Sequence, residues 1–87
     1  MAIIKKKIWP EYFELVSSGK KKFELRLDDF DVKEGDTLLL EEGEPKTSQY
    51  TGRSIEKKVG FKIVGKIPKQ IQYKGRLIGE YIMIKIL

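Results

Sequence analysis

The chain has 87 residues, 40% of them hydrophobic, which is enough for one small domain around one core. It has no cysteine and no histidine, and this excludes a disulfide framework, a Cys/His zinc site, a thiol nucleophile and a histidine base. The formal charge is +5 and the pI about 9.4, so a polyanionic partner is expected; a charged fraction of 36% is equally the habit of heat-adapted surfaces.

Ile3 to Ile8 is apolar at both ends, with Lys5, Lys6 and Lys7 between, and reads as a short strand with a solvated side. Pro10 then suits the first turn of a helix, where its missing N–H has no partner to lose. Tyr12, Phe13, Leu15 and Val16 recur at helical spacing, and Gly19 is a natural stop, so a helix is predicted near 10–18. Lys21 to Leu27 alternates: Lys21, Phe23, Leu25 and Leu27 fall on one side, and Lys22, Glu24 and Arg26 on the other. Asp28, Asp29 and Asp31 mark one turn and Glu34-Gly35-Asp36 another. Thr37 to Leu40 reads as a buried strand. Residues 41–53, without period and carrying Gly43, Pro45, Ser48 and Gly52, are predicted as the longest loop. Ile55 to Ile63 alternates, which places Ile55, Val59, Phe61 and Ile63 inward. After a turn at Gly75, Leu77 to Leu87 repeats Ile78, Ile82, Ile84 and Ile86 in period two.

These elements predict a mainly β (α+β) fold: a small closed or partly closed barrel of five to six mostly antiparallel strands with one short helix near residues 10–18. The connections read as too short for parallel crossovers. No stretch approaches the roughly 20 apolar residues of a membrane span, and Met1 to Ile8 is too short for a secretory signal. A single cytoplasmic domain over 1–87, away from membranes and with a monomer favoured, is the expectation.

The positive charge is unevenly placed. Residues 1–26 hold seven basic and three acidic side chains, and the remaining 61 hold eleven and ten. An evenly mixed surface would not concentrate its excess so, which favours a binding face. The strand after Gly19 presents Lys22, Glu24 and Arg26 together; an arginine fork fits a phosphate or a base edge. Glu24 can accept from an exocyclic amine, or it can pair with its basic neighbours across a solvated face; both readings are open. Lys5, Lys6 and Lys7 read equally as phosphate contacts or as a solvated strand. Trp9 can stack on a base or can pack as a staple onto the helix. Tyr50 and Arg53 sit in the predicted loop, where they could close over a nucleotide. Asp28, Asp29, Asp31 and Asp36 lack the glycine and terminal glutamate positions of a calcium loop and read as turn formers. No metal or organic cofactor is indicated.

Four blocks in order carry a family resemblance: Lys7-Ile8-Trp9-Pro10-Glu11-Tyr12-Phe13, Gly19-Lys20-Lys21-Lys22-Phe23-Glu24-Leu25-Arg26, Val32-Lys33-Glu34-Gly35-Asp36 and Tyr50-Thr51-Gly52-Arg53. Together they resemble a compact subgroup of the ASCH domain family, within the PUA-like barrel superfamily, over about residues 5–65. The resemblance implies a PUA-like barrel that binds RNA in a cleft beside the first helix, with Lys21, Glu24 and Arg26 lining it. Some members are similar small amidohydrolases acting on an acetylated cytidine. They use a lysine at the position of Lys21, a hydroxyl residue at that of Glu24 and a later glutamate. Here position 24 is a carboxylate, and Lys66 to Gly79 offers no acidic residue, so that nucleophile is missing.

Three functions follow as expectations. The first is an RNA- or nucleotide-binding domain, with Lys21, Glu24 and Arg26 in a cleft and Lys5, Lys6, Lys7, Lys20 and Lys22 meeting phosphates. The second is a hydrolase of RNA or of a modified nucleoside, with Lys21 and Glu24 as acid and base. The third is a protein-interaction module that uses a barrel edge or an exposed C-terminal strand.

Overall fold

A computed structural model describes all 87 residues. Strand β1 (Ile3–Ile8) leads into helix α1 (Pro10–Ser17), then β2 (Phe23–Leu27), β3 (Thr37–Gly43), β4 (Tyr50–Tyr73) and β5 (Arg76–Ile86). The helix is where its start and stop signals put it. Pro10 occupies the first turn, Glu11 lies near the positive end of the dipole, and Gly19 at φ +80° ends it. Of its apolar residues only Phe13 and Val16 are buried; Tyr12 and Leu15 stay exposed.

The strands form one five-stranded sheet in the order β1-β3-β4-β5-β2. The mainly β character matches the expectation. Two topological expectations are corrected. First, β1 and β3 pair in parallel, Ile3 opposite Thr37 through Ile8 opposite Glu42. The crossover between them is not short, because α1 and β2 both lie within it. Second, the sheet is not a closed barrel. β1 and β2 are its two edges, and no backbone ladder joins them. A flat sheet of five strands would hold its edges roughly 19 Å apart, at about 4.8 Å per strand. Here Arg26 Nη2 on β2 donates to the carbonyl of Lys7 on β1 at 2.9 Å. The sheet is therefore curled until its edges nearly meet, and a side chain bridges the seam.

The predicted loop 41–53 contracts to a turn over 44–49, closed by Glu44 N–H to Gln49 O at 2.8 Å, with Gly43 already paired to Tyr50. β4 then runs 24 residues, pairing first with β3 and from Val59 onward with β5. Its β5 ladder is irregular between Val59 and Lys62 and between Lys66 and Ile71. The second break holds Pro68, which has no N–H to give a ladder. Beyond Lys66 the ribbon is only two strands wide, since β2 stops opposite Tyr81.

The core gathers Ile8, Phe13, Val16, Val32, Leu38, Leu40, Val59, Ile82, Ile84 and Ile86. The period-two isoleucines of β5 are buried as expected, at about 1.5–3 kcal/mol each. That strand lies between β4 and β2, so the expectation of an exposed C-terminal strand is corrected. Two faces are also inverted relative to the alternation. On β2, Glu24 is buried at 3% exposure while Leu25 is 61% exposed. On β4, the extra residue between Val59 and Lys62 turns the chain over, so Phe61 and Ile63 face out. Phe23 and Phe61 meet edge-on there, with ring centroids 6.2 Å apart.

Candidate nucleic-acid interface

The seam between β1 and β2 is a cleft of about 890 Å³. β1 supplies Lys5, Lys6, Lys7 and Ile8; Trp9 and Tyr12 come from the start of the helix; Lys21, Glu24, Leu25 and Arg26 come from β2 and its approach. Tyr50 enters from the start of β4, and Tyr73 and Lys74 from the tip of the β4–β5 ribbon. The lining thus carries six cationic side chains and one carboxylate.

That carboxylate is fully engaged. Glu24 Oε1 accepts from Lys21 Nζ at 2.8 Å, and Oε2 accepts from Arg26 Nε at 3.0 Å. Lys21 Nζ also donates to the carbonyl of Phe23. Arg26 spends a further donor on Lys7 O across the seam. The alternation of β2 makes this possible, because Glu24 and Arg26 share its inner face. Glu24 is therefore a clamp that orients two cations.

Of the residues expected to form a site, Lys5, Lys7, Trp9, Lys21, Glu24, Arg26 and Tyr50 converge on the cleft. Lys20, Lys22 and Arg53 do not line it. Lys7 Nζ donates to Ser48 O at 2.9 Å and lies 4.8 Å from the centre of the Tyr50 ring, so it anchors the β3–β4 turn to the cleft wall. Arg53 is drawn elsewhere. Its Nε and Nη2 grip both oxygens of buried Glu42 at 2.9 and 2.6 Å, and Nη2 also meets Glu14 at 2.7 Å. Its guanidinium lies 4.6 Å over Phe13, so this fork ties β3 and β4 to the helix. Hydrogen bonds from Arg53 and Thr51 hold the Glu42 carboxyl below the usual range.

Lys6, expected with Lys5 and Lys7 as a phosphate contact, also lines the cleft, whereas Tyr12, Tyr73 and Lys74 were not among the expected site residues. Tyr73 and Lys74 flank a turn more than forty positions from Arg26, and only the β4–β5 pairing carries them to the seam. Asp36, read as a turn former, is one: it accepts from Ala2 N–H at 3.0 Å and Lys33 N–H at 2.9 Å. These two backbone bonds depress its pKa.

A curled mixed sheet with a cationic seam defines this as a small β-rich domain with a built cleft. The chain belongs to the family described as domain of unknown function DUF3850, whose model matches residues 3–81. It is similar to an uncharacterised 12.9 kDa protein in the GpA 3′ region of Escherichia phage P2, with 40% identity over 53 residues. That match covers 61% of this chain and 47% of the phage protein, so the chain spans about half the length of the curated relative. No helix is long and apolar enough to cross a membrane.

Proposed function

We propose that the chain is an RNA- or nucleotide-binding domain of ASCH-like character that holds its ligand in the seam between β1 and β2. The observation that carries this reading is the cleft lining: six cations against one carboxylate already paired, interleaved with Trp9, Tyr12, Tyr50 and Tyr73. Cations track a phosphate backbone and aromatic faces stack on bases, and the combination suits single-stranded nucleic acid. The four motif blocks support the ASCH reading, since the second of them supplies Lys21, Glu24 and Arg26.

The test is a titration of labelled single-stranded RNA at two salt concentrations, with Lys5→Ala/Lys74→Ala alongside. Wild-type affinity is expected to fall steeply with salt, and the variant to lose roughly 0.7 of the log–log slope for each lysine that meets a phosphate. Affinity that ignores both salt and the variant would sink the reading. Trp9→Ala is expected to cost about 1–3 kcal/mol of binding if Trp9 stacks on a base.

The hydrolase reading uses Lys21 and Glu24 as acid and base, and the clamp would have to open for either to exchange a proton with substrate. An interaction module has one observation in its favour, the outward patch of Phe23, Phe61 and Ile63. Concentration-dependent self-association without RNA affinity would support it.

A further inference from the structure

Between Glu56 and Glu80 the chain carries six lysines, one arginine and no acidic residue. Beyond Lys66 this run stands as a ribbon two strands wide. Some of its charge is answered locally, since Lys62 and Arg76 line a hollow with Asp28, Asp29 and Asp31. Lys69 and Lys74 take part in none of the molecule's five ion pairs. Lys66 meets Glu80 at 3.6 Å between two exposed side chains, a contact that contributes little. The turn at the ribbon tip is a second observation. Tyr73 pairs with Arg76, which leaves Lys74 at φ 50° and Gly75 at φ 78° as a two-residue loop. Two left-handed residues suit the twist of a hairpin, but the first position favours asparagine, aspartate or glycine. A lysine there is held in a backbone conformation that its Cβ disfavours. Its amine lies 5.2 Å from the centre of the Tyr73 ring, and both residues line the cleft.

We propose that the ligand of the cleft is a single RNA strand of several nucleotides, which leaves the cleft past Lys74 and continues along the ribbon over Lys69 and Lys66. The inference rests on the cleft reading above and narrows it from a nucleotide to a strand. The register of the ribbon supplies the path. Tyr73 lies opposite Arg76 and Lys66 opposite Glu80, and Arg76 and Glu80 fall on one face of β5 by the period of a strand. Lys66 therefore continues the face that carries Tyr73 into the cleft. From the tip to Lys66 the ribbon advances four steps of β5, about 13 Å. A mononucleotide seated among the cleft aromatics does not span that distance, whereas successive phosphates of a strand do. Cations that track a backbone beside aromatic faces that stack on bases are the usual means of holding single-stranded nucleic acid without a fixed sequence. The lysine at the tip of the turn is then the link between cleft and ribbon, kept for its amine against its backbone preference.

The probes are uridine 5′-monophosphate and an oligouridine of about 12 nucleotides, within the usual site size of a small nucleic-acid-binding barrel. Each is titrated at two salt concentrations against wild type, Lys66→Gln/Lys69→Gln and, as a control that removes equal charge from exposed positions outside the cleft, Lys20→Gln/Lys22→Gln. The oligomer is expected to bind many-fold more tightly than the monophosphate and with a steeper salt dependence. The ribbon variant should lose several-fold of that advantage and roughly 0.7 of the log–log slope for each lysine that meets a phosphate. The control should keep the advantage. Lys74→Asn places a favoured residue in the turn, so it should slow amide exchange in the ribbon while weakening the oligomer. Equal affinity for the two probes overturns the inference and leaves the cleft reading standing. An equal loss in the ribbon variant and the control also overturns it, because net charge alone would then explain the binding. Absence of binding by either probe overturns the cleft reading, and the strand falls with it.

Discussion

Glu24 has two cationic partners and almost no water, and this makes the obvious binding-site mutations hazardous. Replacing both Lys21 and Arg26 by alanine strands a buried carboxylate, and the expected cost is about 3–5 kcal/mol of folding stability. The denaturant midpoint measures it, and adding Glu24→Leu should return most of the loss, because an apolar group of similar size needs no partner. Loss of ligand affinity in the double variant alone would therefore mix misfolding with lost contacts. The period of a strand grouped Glu24 with Arg26 and with Lys22; Lys21 joined them only through the family resemblance. Their orientation was not readable that way. An amphipathic edge strand is expected to turn Phe23 and Leu25 inward, and β2 does the opposite because its inner face lines a cleft. Arg53 misled for a related reason. A Tyr–Arg pair in an aperiodic segment reads as a loop, yet buried Glu42 captures the guanidinium.

At the level of elements, the helix and β5 follow directly from local signals: a proline start, a glycine stop and four isoleucines in period two. The β4 strand does not. Its period is interrupted after Val59, and a one-residue insertion in a ladder leaves no compositional mark beyond the glycine at position 60. Gly65, by contrast, has a clear steric role, because a Cβ placed there would overlap the hydroxyl end of the Tyr81 ring. Gly65→Ala is expected to lower the thermal midpoint, and Gly65→Ala/Tyr81→Ser to recover part of it. Equal loss in the single and double variants would show that backbone freedom and not the ring is at stake. Ile84→Ala removes a fully buried side chain opposite Glu24 and is expected to cost about 2–5 kcal/mol, read from urea unfolding.

For the whole molecule, two depressed carboxylates set the acid limit. Asp36 ties down the N-terminal strand and Glu42 ties the helix to the sheet through Arg53. Both are held below their ordinary pKa. The unfolded chain therefore binds protons first as pH falls. The stability they supply is complete above the ordinary carboxylate range and is lost as pH drops through their lower folded values. Unfolding midpoints measured from pH 7 downward should fall through this range, and Asp36→Asn or Glu42→Gln should flatten the slope. The crossover topology was the least readable feature at this scale, because nothing local tells β1 to skip past α1 and β2 and pair with β3.

The ribbon beyond Lys66 has a kinetic consequence. Two strands with an interrupted ladder and mostly exposed side chains are marginal in water, whereas β5 from Ile82 to Ile86 is locked on both sides. Amide hydrogens of residues 66–77 should therefore exchange through local fraying, long before those of 82–86. Tyr73 and Lys74 ride on that ribbon, so the outer wall of the cleft can swing away while the sheet stays folded. For the ligand proposed above, the lifetime of the complex would then follow how often a proline-broken ribbon bends, and stiffening the ribbon would lengthen it with no new contact to the ligand.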